Sequence, residues 1–192
     1  MRALLLGLVA LAFAAPALAP AAMAQVKDES VLTPLPEGFK LGYRGGQPGF
    51  AIAELIPANE TVEDWSVMVT QLTFATMPAT LDAFAEGMAQ RYAGACGAHE
   101  MTKIVEDQTN GYPSGLWRLV CGLNPGTGKP EYMYMKLVRG ADAFYSIQYA
   151  YRDVPSPERN AAAETYMLDV SVCDPRTPDH PCPATVTVAA PG

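Results

Sequence analysis

The chain has 192 residues, with 13 basic against 20 acidic side chains, a net charge of −7 at pH 7, and 49% hydrophobic residues. An acidic chain without a Lys/Arg cluster repels phosphate backbones, which argues against nucleic acid as a partner. No apolar run beyond the first approaches the ~20 residues that cross a bilayer, so no stable membrane insertion is expected once the N-terminal segment is removed.

Residues 1–24 have the layout of a secretory signal peptide. Met1-Arg2 supplies a short basic start, Ala3 to Phe13 an apolar core too short to span, and Ala22-Met23-Ala24 a small-residue cleavage site. The competing reading is an uncleaved anchor. Cleavage leaves 168 residues, enough for one domain with a substantial core, and 12 basic against 20 acidic side chains. The expected location is therefore the periplasm or the outside of the cell.

Residues 25–38 are polar and punctuated by proline, and read as a flexible lead-in. A single domain is expected over 39–173. It opens with a hairpin: Phe39 to Tyr43 alternates as a strand, Gly45 to Gly49 is turn chemistry, and Phe50 to Ile56 returns. Thr61 to Trp65 suits a short helical turn with a loose Thr61/Asp64 pairing. Val67 to Phe74 is apolar on both faces, as in a central strand covered on each side.

A helix follows, with Pro78 in its first turn, a stripe of Leu81, Phe84, Ala85, Met88 and Tyr92, and stops at Gly94 or Gly97. Four strands come next: Met101 to Val105, Leu116 to Cys121, Tyr132 to Val138 and Ala143 to Tyr151. The stretches 110–115 and 124–128 separate them as turns. A second helix starts at Ser156-Pro157-Glu158, with Ser156 as cap and Ala163, Tyr166, Met167 and Val170 as its apolar stripe. Residues 174–192 form a proline-rich tail tethered by a disulfide.

Cys96, Cys121, Cys173 and Cys182 allow three pairings. Placement favours Cys96 with Cys121, which pins the first helix to the sheet, and Cys173 with Cys182, which closes a small loop. A metal site drawn from Cys96, His99, His180 and Cys182 is the sharper alternative, and underlies a metal-trafficking reading. The paired-ligand spacings of zinc modules are missing, however, as is the Cys-x-x-Cys of redox proteins. No metal or other cofactor is expected.

Motifs for covalent chemistry fall short. Gly126-Thr127-Gly128-Lys129 is followed by Pro130 where a phosphate-binding loop needs a hydroxyl. Tyr112-Pro113-Ser114-Gly115 lacks the flanking glycines of a nucleophile elbow. A periplasmic hydrolase would have to draw its base from His99 or His180. No catalytic residue is assigned.

In the third of the four strands Tyr132, Tyr134 and Lys136 share one face, and Met133, Met135 and Leu137 the other. In the fourth, Tyr145, Ile147, Tyr149 and Tyr151 align opposite Phe144, Ser146, Gln148 and Ala150. Core packing accounts for most of these side chains. The candidate ligand surface is Tyr132 and Tyr134 together with Ser146 and Gln148.

These elements make an α+β domain, a mainly antiparallel sheet with two main helices. The lead-in Leu35-Pro36-Glu37-Gly38-Phe39-Lys40, the hairpin and the order of strands and helices over residues 35–173 resemble the PsbP-like group of α/β/α sandwiches. That resemblance implies a non-enzymatic accessory or binding role and assigns no functional residue. The expectation is an exported binding or accessory protein whose partner is an envelope protein or a small ligand.

Overall fold

The computed structural model describes residues 27–96 and 98–183. The expected signal peptide, the proposed stop at Gly97 and residues 184–192 of the expected C-terminal tail lie outside the described residues.

Seven strands form one antiparallel sheet, and two short ones form a second. In chain order they are β1 (Ser30–Leu32), β2 (Phe39–Gln47), β3 (Phe50–Pro57), β4 (Val67–Phe74), β5 (His99–Thr109), β6 (Tyr112–Asn124), β7 (Lys129–Arg139), β8 (Phe144–Tyr151) and β9 (Ser171–Cys173). Helix α1 (Leu81–Cys96) precedes β5, and α2 (Pro157–Asp169) precedes β9. The large sheet runs β2-β3-β4-β8-β7-β6-β5, so β4 is interior and β2 and β5 are its edges.

The two faces carry separate cores. On one, Tyr134, Val138, Ile147 and Tyr151 pack with Ala163, Met167 and Val170 at α2. On the other, Trp117, Leu119, Met133, Met135 and Leu137 pack with Ala85 of α1. Helices on opposite faces of one antiparallel sheet make the α+β sandwich expected from the element order. Val69 faces the α2 core and Met68 the α1 core, the two-sided burial foreseen for β4.

Local chemistry sets the helix starts. Ser156 Oγ accepts from the Arg159 amide at 3.1 Å with Pro157 behind it, as its cap pattern requires. Helix α1 starts later than Pro78 suggests, because Thr80 Oγ1 accepts from the Ala83 amide at 3.1 Å and caps it. It also runs through Gly94, whose added Cβ would meet nothing.

Several stretches differ from expectation, among them 61–65, which bends without forming the helical turn expected there. The turn expected over 110–115 is only Asn110-Gly111, both with positive φ (49° and 82°), and β6 starts at Tyr112. That is the two-residue turn whose twist matches a hairpin. The turn after β2 is likewise tighter, because the strand continues to Gln47.

Within the 25–38 stretch read as a flexible lead-in, Ser30–Leu32 pairs antiparallel with Ser171–Cys173. Glu29 is buried beside it. Its carboxylate accepts from the amides of Ala141 (2.6 Å), Asp142 (3.1 Å) and Ala143 (3.2 Å) and from Tyr145 Oη (3.0 Å). Composition marks this segment as polar, and only partners more than a hundred residues away make burial of its charge tolerable.

Both disulfides are formed, Cys96–Cys121 and Cys173–Cys182. The first ties the end of α1 to β6. The second closes the loop after β9, where Asn110 Nδ2 donates to the carbonyls of Val172 (2.9 Å) and Pro181 (3.2 Å).

Candidate functional site

The Asn110-Gly111 turn places the ends of β5 and β6 against the C-terminal end of α2. His180 locks that turn in place. Its ring stacks on Tyr112 with centroids 3.8 Å apart, and its Nδ1 lies 2.7 Å from the Asn110 carbonyl oxygen. A Cβ at Gly111 would stand 2.9 Å from the imidazole, so this packing needs glycine for space as well as for φ.

Between the hairpin and α2 lies a groove of about 270 Å³. Its lining is apolar at Val105, Leu116, Met167 and Leu168 and polar at Asp107, Thr109 and Ser114. The two hydroxyls pair with each other at 3.0 Å. Leu168 is 74% exposed and Val105 43%, so the apolar lining continues onto an open rim.

Lys136 of β7 forms part of the floor and is only 8% exposed. Its Nζ donates to the carbonyls of Met167 (2.9 Å) and Val170 (2.7 Å), which the end of the helix leaves without intrahelical partners. An ammonium has three donors, and among the described residues no third acceptor is bound. Burial pushes its pKa down to about 8, against the opposing pull of Asp107 and Asp169. The arrangement can present one donor from the floor, acceptors from Asp107, Thr109 and Ser114, and an apolar surface beside them.

A second cleft lies where the 60–66 turn meets β7 and β8, lined by Glu60, Asp64, Trp65, Ser66, Lys129, Arg152 and Asp153. Its charges are mostly matched internally. Lys129 Nζ is 2.9 Å from Asp64, and Glu60 holds the Ser66 amide and hydroxyl, each at 2.7 Å. Arg152 lies 3.6 Å over the Trp65 ring and 3.4 Å from Glu131. These contacts brace the turn and leave little unpaired for a ligand.

The structure separates the four residues of the sequence-based ligand surface. Tyr132 faces Tyr151, and Tyr134 faces Tyr149 across β7–β8, all on the α2 side. Ser146 pairs with Leu137 and Gln148 with Met135, which places them on the α1 side. Residues directly opposite in a ladder share a face, so the register divides the set. Tyr134 and Ser146 are also fully buried. The groove makes use of Lys136, two places beyond Tyr134 on the same strand face.

The two histidines lie apart in their roles. His99 is exposed at the start of β5, paired across the ladder with Cys121, whereas His180 is committed to the Asn110 turn. The four cysteines are all oxidised, so in this form none offers a thiolate. Among the described residues no trio of His, Cys, Asp or Glu is grouped to hold a metal, and no helix is long and apolar enough to cross a membrane.

No protein-family model matches the chain, and no curated protein matches it. Solved structures with a similar fold include the Ran-binding protein Mog1p of Saccharomyces cerevisiae, at 14% identity over 76% of this chain and 85% of that one, with a TM-score of 0.41. LpqN of Mycobacterium tuberculosis, described as involved in cell envelope biogenesis, is 9% identical over 77% and 86%, with a TM-score of 0.39. The cyanobacterial PsbP of Synechocystis is 8% identical over 74% and 89%, with a TM-score of 0.36. The PsbP-like group named on element order is thus among the structural neighbours of this chain.

Proposed function

We propose that this is an exported binding protein of the bacterial envelope, acting through a surface and without covalent chemistry, and that the groove at the end of α2 is its binding site. The signal-like N-terminus and the two disulfides support an extracytoplasmic location, since disulfides persist in oxidising compartments. The observation that carries the site is the open apolar rim of Val105 and Leu168 above a floor donor, Lys136, that is already fixed in place. Such a preformed site binds with little reorganisation.

Native mass spectrometry of the protein recovered from its host's envelope tests this reading. The expected result is a bound mass that is lost from the Leu168→Asp variant. A bare chain in both samples, or a bound mass indifferent to Leu168→Asp, overturns the assignment of the groove.

A further inference from the structure

We propose that the outer edge of β5 over Val105–Thr109, together with the groove beside it, docks an extended peptide segment of a partner protein that carries an apolar residue and, two positions on, a basic one. The proposal rests on the reading of the groove as the binding site and specifies what fills it.

Among the described residues strand β5 is an edge: it pairs only with β6 there, and its residues take part in none of the backbone hydrogen bonds outside the ladders. Its outward N–H and C=O groups are therefore open to another strand. The two halves of that edge differ. The first half is guarded by Lys103, which reaches Asp82 at 2.8 Å and also bonds Glu106, and by a bulge between Lys103 and Val105. Charged side chains and bulges are the devices that block edge pairing. The second half, Val105–Thr109, has no bulge and no lysine, and it keeps a regular register with Leu116 back to Tyr112. Its charges are acidic: Asp107, and Glu106, which is drawn to Lys103.

The side chains beside this open half select the occupant. Val105, Asp107 and Thr109 are matched across the ladder with Leu116, Ser114 and Tyr112, and so point to the α2 side and line the groove or its mouth. A strand added to β5 sets its own alternate side chains beside these. An apolar side chain beside Val105 packs on Val105, the apolar lining residue of the groove that lies on the edge strand itself. The side chain two residues on lies beside Asp107.

Asp107 forms no ion pair among the described residues, and nor does Asp169 at the end of α2. The Lys136 ammonium, held by two carbonyls, offsets one of these two carboxylate charges through space, so the groove keeps a net negative charge. The chain as a whole carries −7. The charge at the groove is thus complementary to a basic side chain and repels an acidic one.

The test uses amide-resolved NMR of the oxidised protein titrated with acetyl-Thr-Val-Thr-Lys-Thr-amide. Expected are shifts confined to Val105–Thr109 and the end of α2, lost when the peptide backbone is N-methylated and lost when its lysine is replaced by glutamate. Asp107→Lys, at an exposed position, weakens binding about fivefold and reverses the charge preference. Its unchanged circular dichroism separates this effect from misfolding.

Shifts elsewhere, no response at β5, or binding indifferent to N-methylation overturn the proposal. Self-association through β5 without peptide overturns it as well, in favour of a second copy of the chain. If Leu168→Asp strips the bound mass from the native protein while β5 ignores the peptide, the groove stands and the edge pairing falls.

Discussion

Lys136 Nζ donates to the carbonyl oxygen of Val170 at 2.7 Å, so a strand side chain closes the C-terminal end of α2. The same amine reaches Met167 at 2.9 Å. Helix ends carry unpaired carbonyls and a partial negative charge, and a lysine from the sheet supplies both donors and a positive charge. The floor of the groove and the end of the helix are therefore one device.

Removing that device is expected to be costly. Lys136→Met leaves two carbonyls without a partner and should destabilise the fold by about 3 kcal/mol, read from denaturant unfolding. Hydrogen exchange should speed up first at the end of α2. An unchanged midpoint would show that water replaces the amine without loss.

The same lysine sets a pH dependence. Its pKa is about 8 in the fold against 10.5 for an unperturbed side chain. Between these values the unfolded chain binds more protons, so this group makes stability rise with pH from about 8 to 10. The slope stays below about 1.4 kcal/mol per pH unit, because one proton is involved and the site is partly open. Above pH 10 the trend reverses. Burial holds the hydroxyls of Tyr92, Tyr145 and Tyr166 protonated in the fold, whereas they ionise in the unfolded chain. Stability curves of the wild type and Lys136→Arg should diverge between pH 8 and 10, because arginine keeps its charge throughout. Parallel curves would place the titration elsewhere.

Glu29 is expected to anchor the N-terminal segment. Its four accepted hydrogen bonds fasten β1 beside the β7–β8 turn. Glu29→Ala leaves three turn amides and a tyrosine hydroxyl to water and should cost about 2 kcal/mol. Limited proteolysis should then cut between residues 30 and 38, where the wild type resists. Gly140→Ala tests the same contact from the other side, because its Cβ would lie 2.1 Å from Glu29 Oε1.

The two disulfides should differ in worth. Cys96–Cys121 spans 25 residues and Cys173–Cys182 spans 9. Loop entropy assigns about 3.5 and about 2.6 kcal/mol to them respectively. Paired serine variants compared by denaturant midpoint check the order. A larger loss from Cys173/Cys182 would mean that this bridge acts mainly through the native packing of His180 on Tyr112.

Local patterns in the chain were enough for much of the fold. Period-two alternation marked β4, β7 and β8, a helical stripe marked α1 and α2, and Ser156-Pro157 marked the start of α2 within a residue. Those signals depend on neighbours a few residues apart, so they are readable without the third dimension. The disulfide preference could also be reached, because it needed only the order of the elements.

Register and long-range partnership needed the tertiary structure. Strand periodicity told Tyr132 and Tyr134 from Met133 and Met135, but only the β7–β8 pairing decided that Ser146 and Gln148 belong with the methionines. Nothing local distinguishes Glu29 from the other acidic residues or marks Lys136 as a buried donor. Each owes its role to partners brought in by folding, 112 or more residues away for Glu29 and 31 or more for Lys136. A groove made of two strand ends and a helix end has no contiguous sequence of its own. The chain alone therefore determined the class of the fold and the preferred pairing of its cysteines, and the packing of distant elements decided where the groove lies.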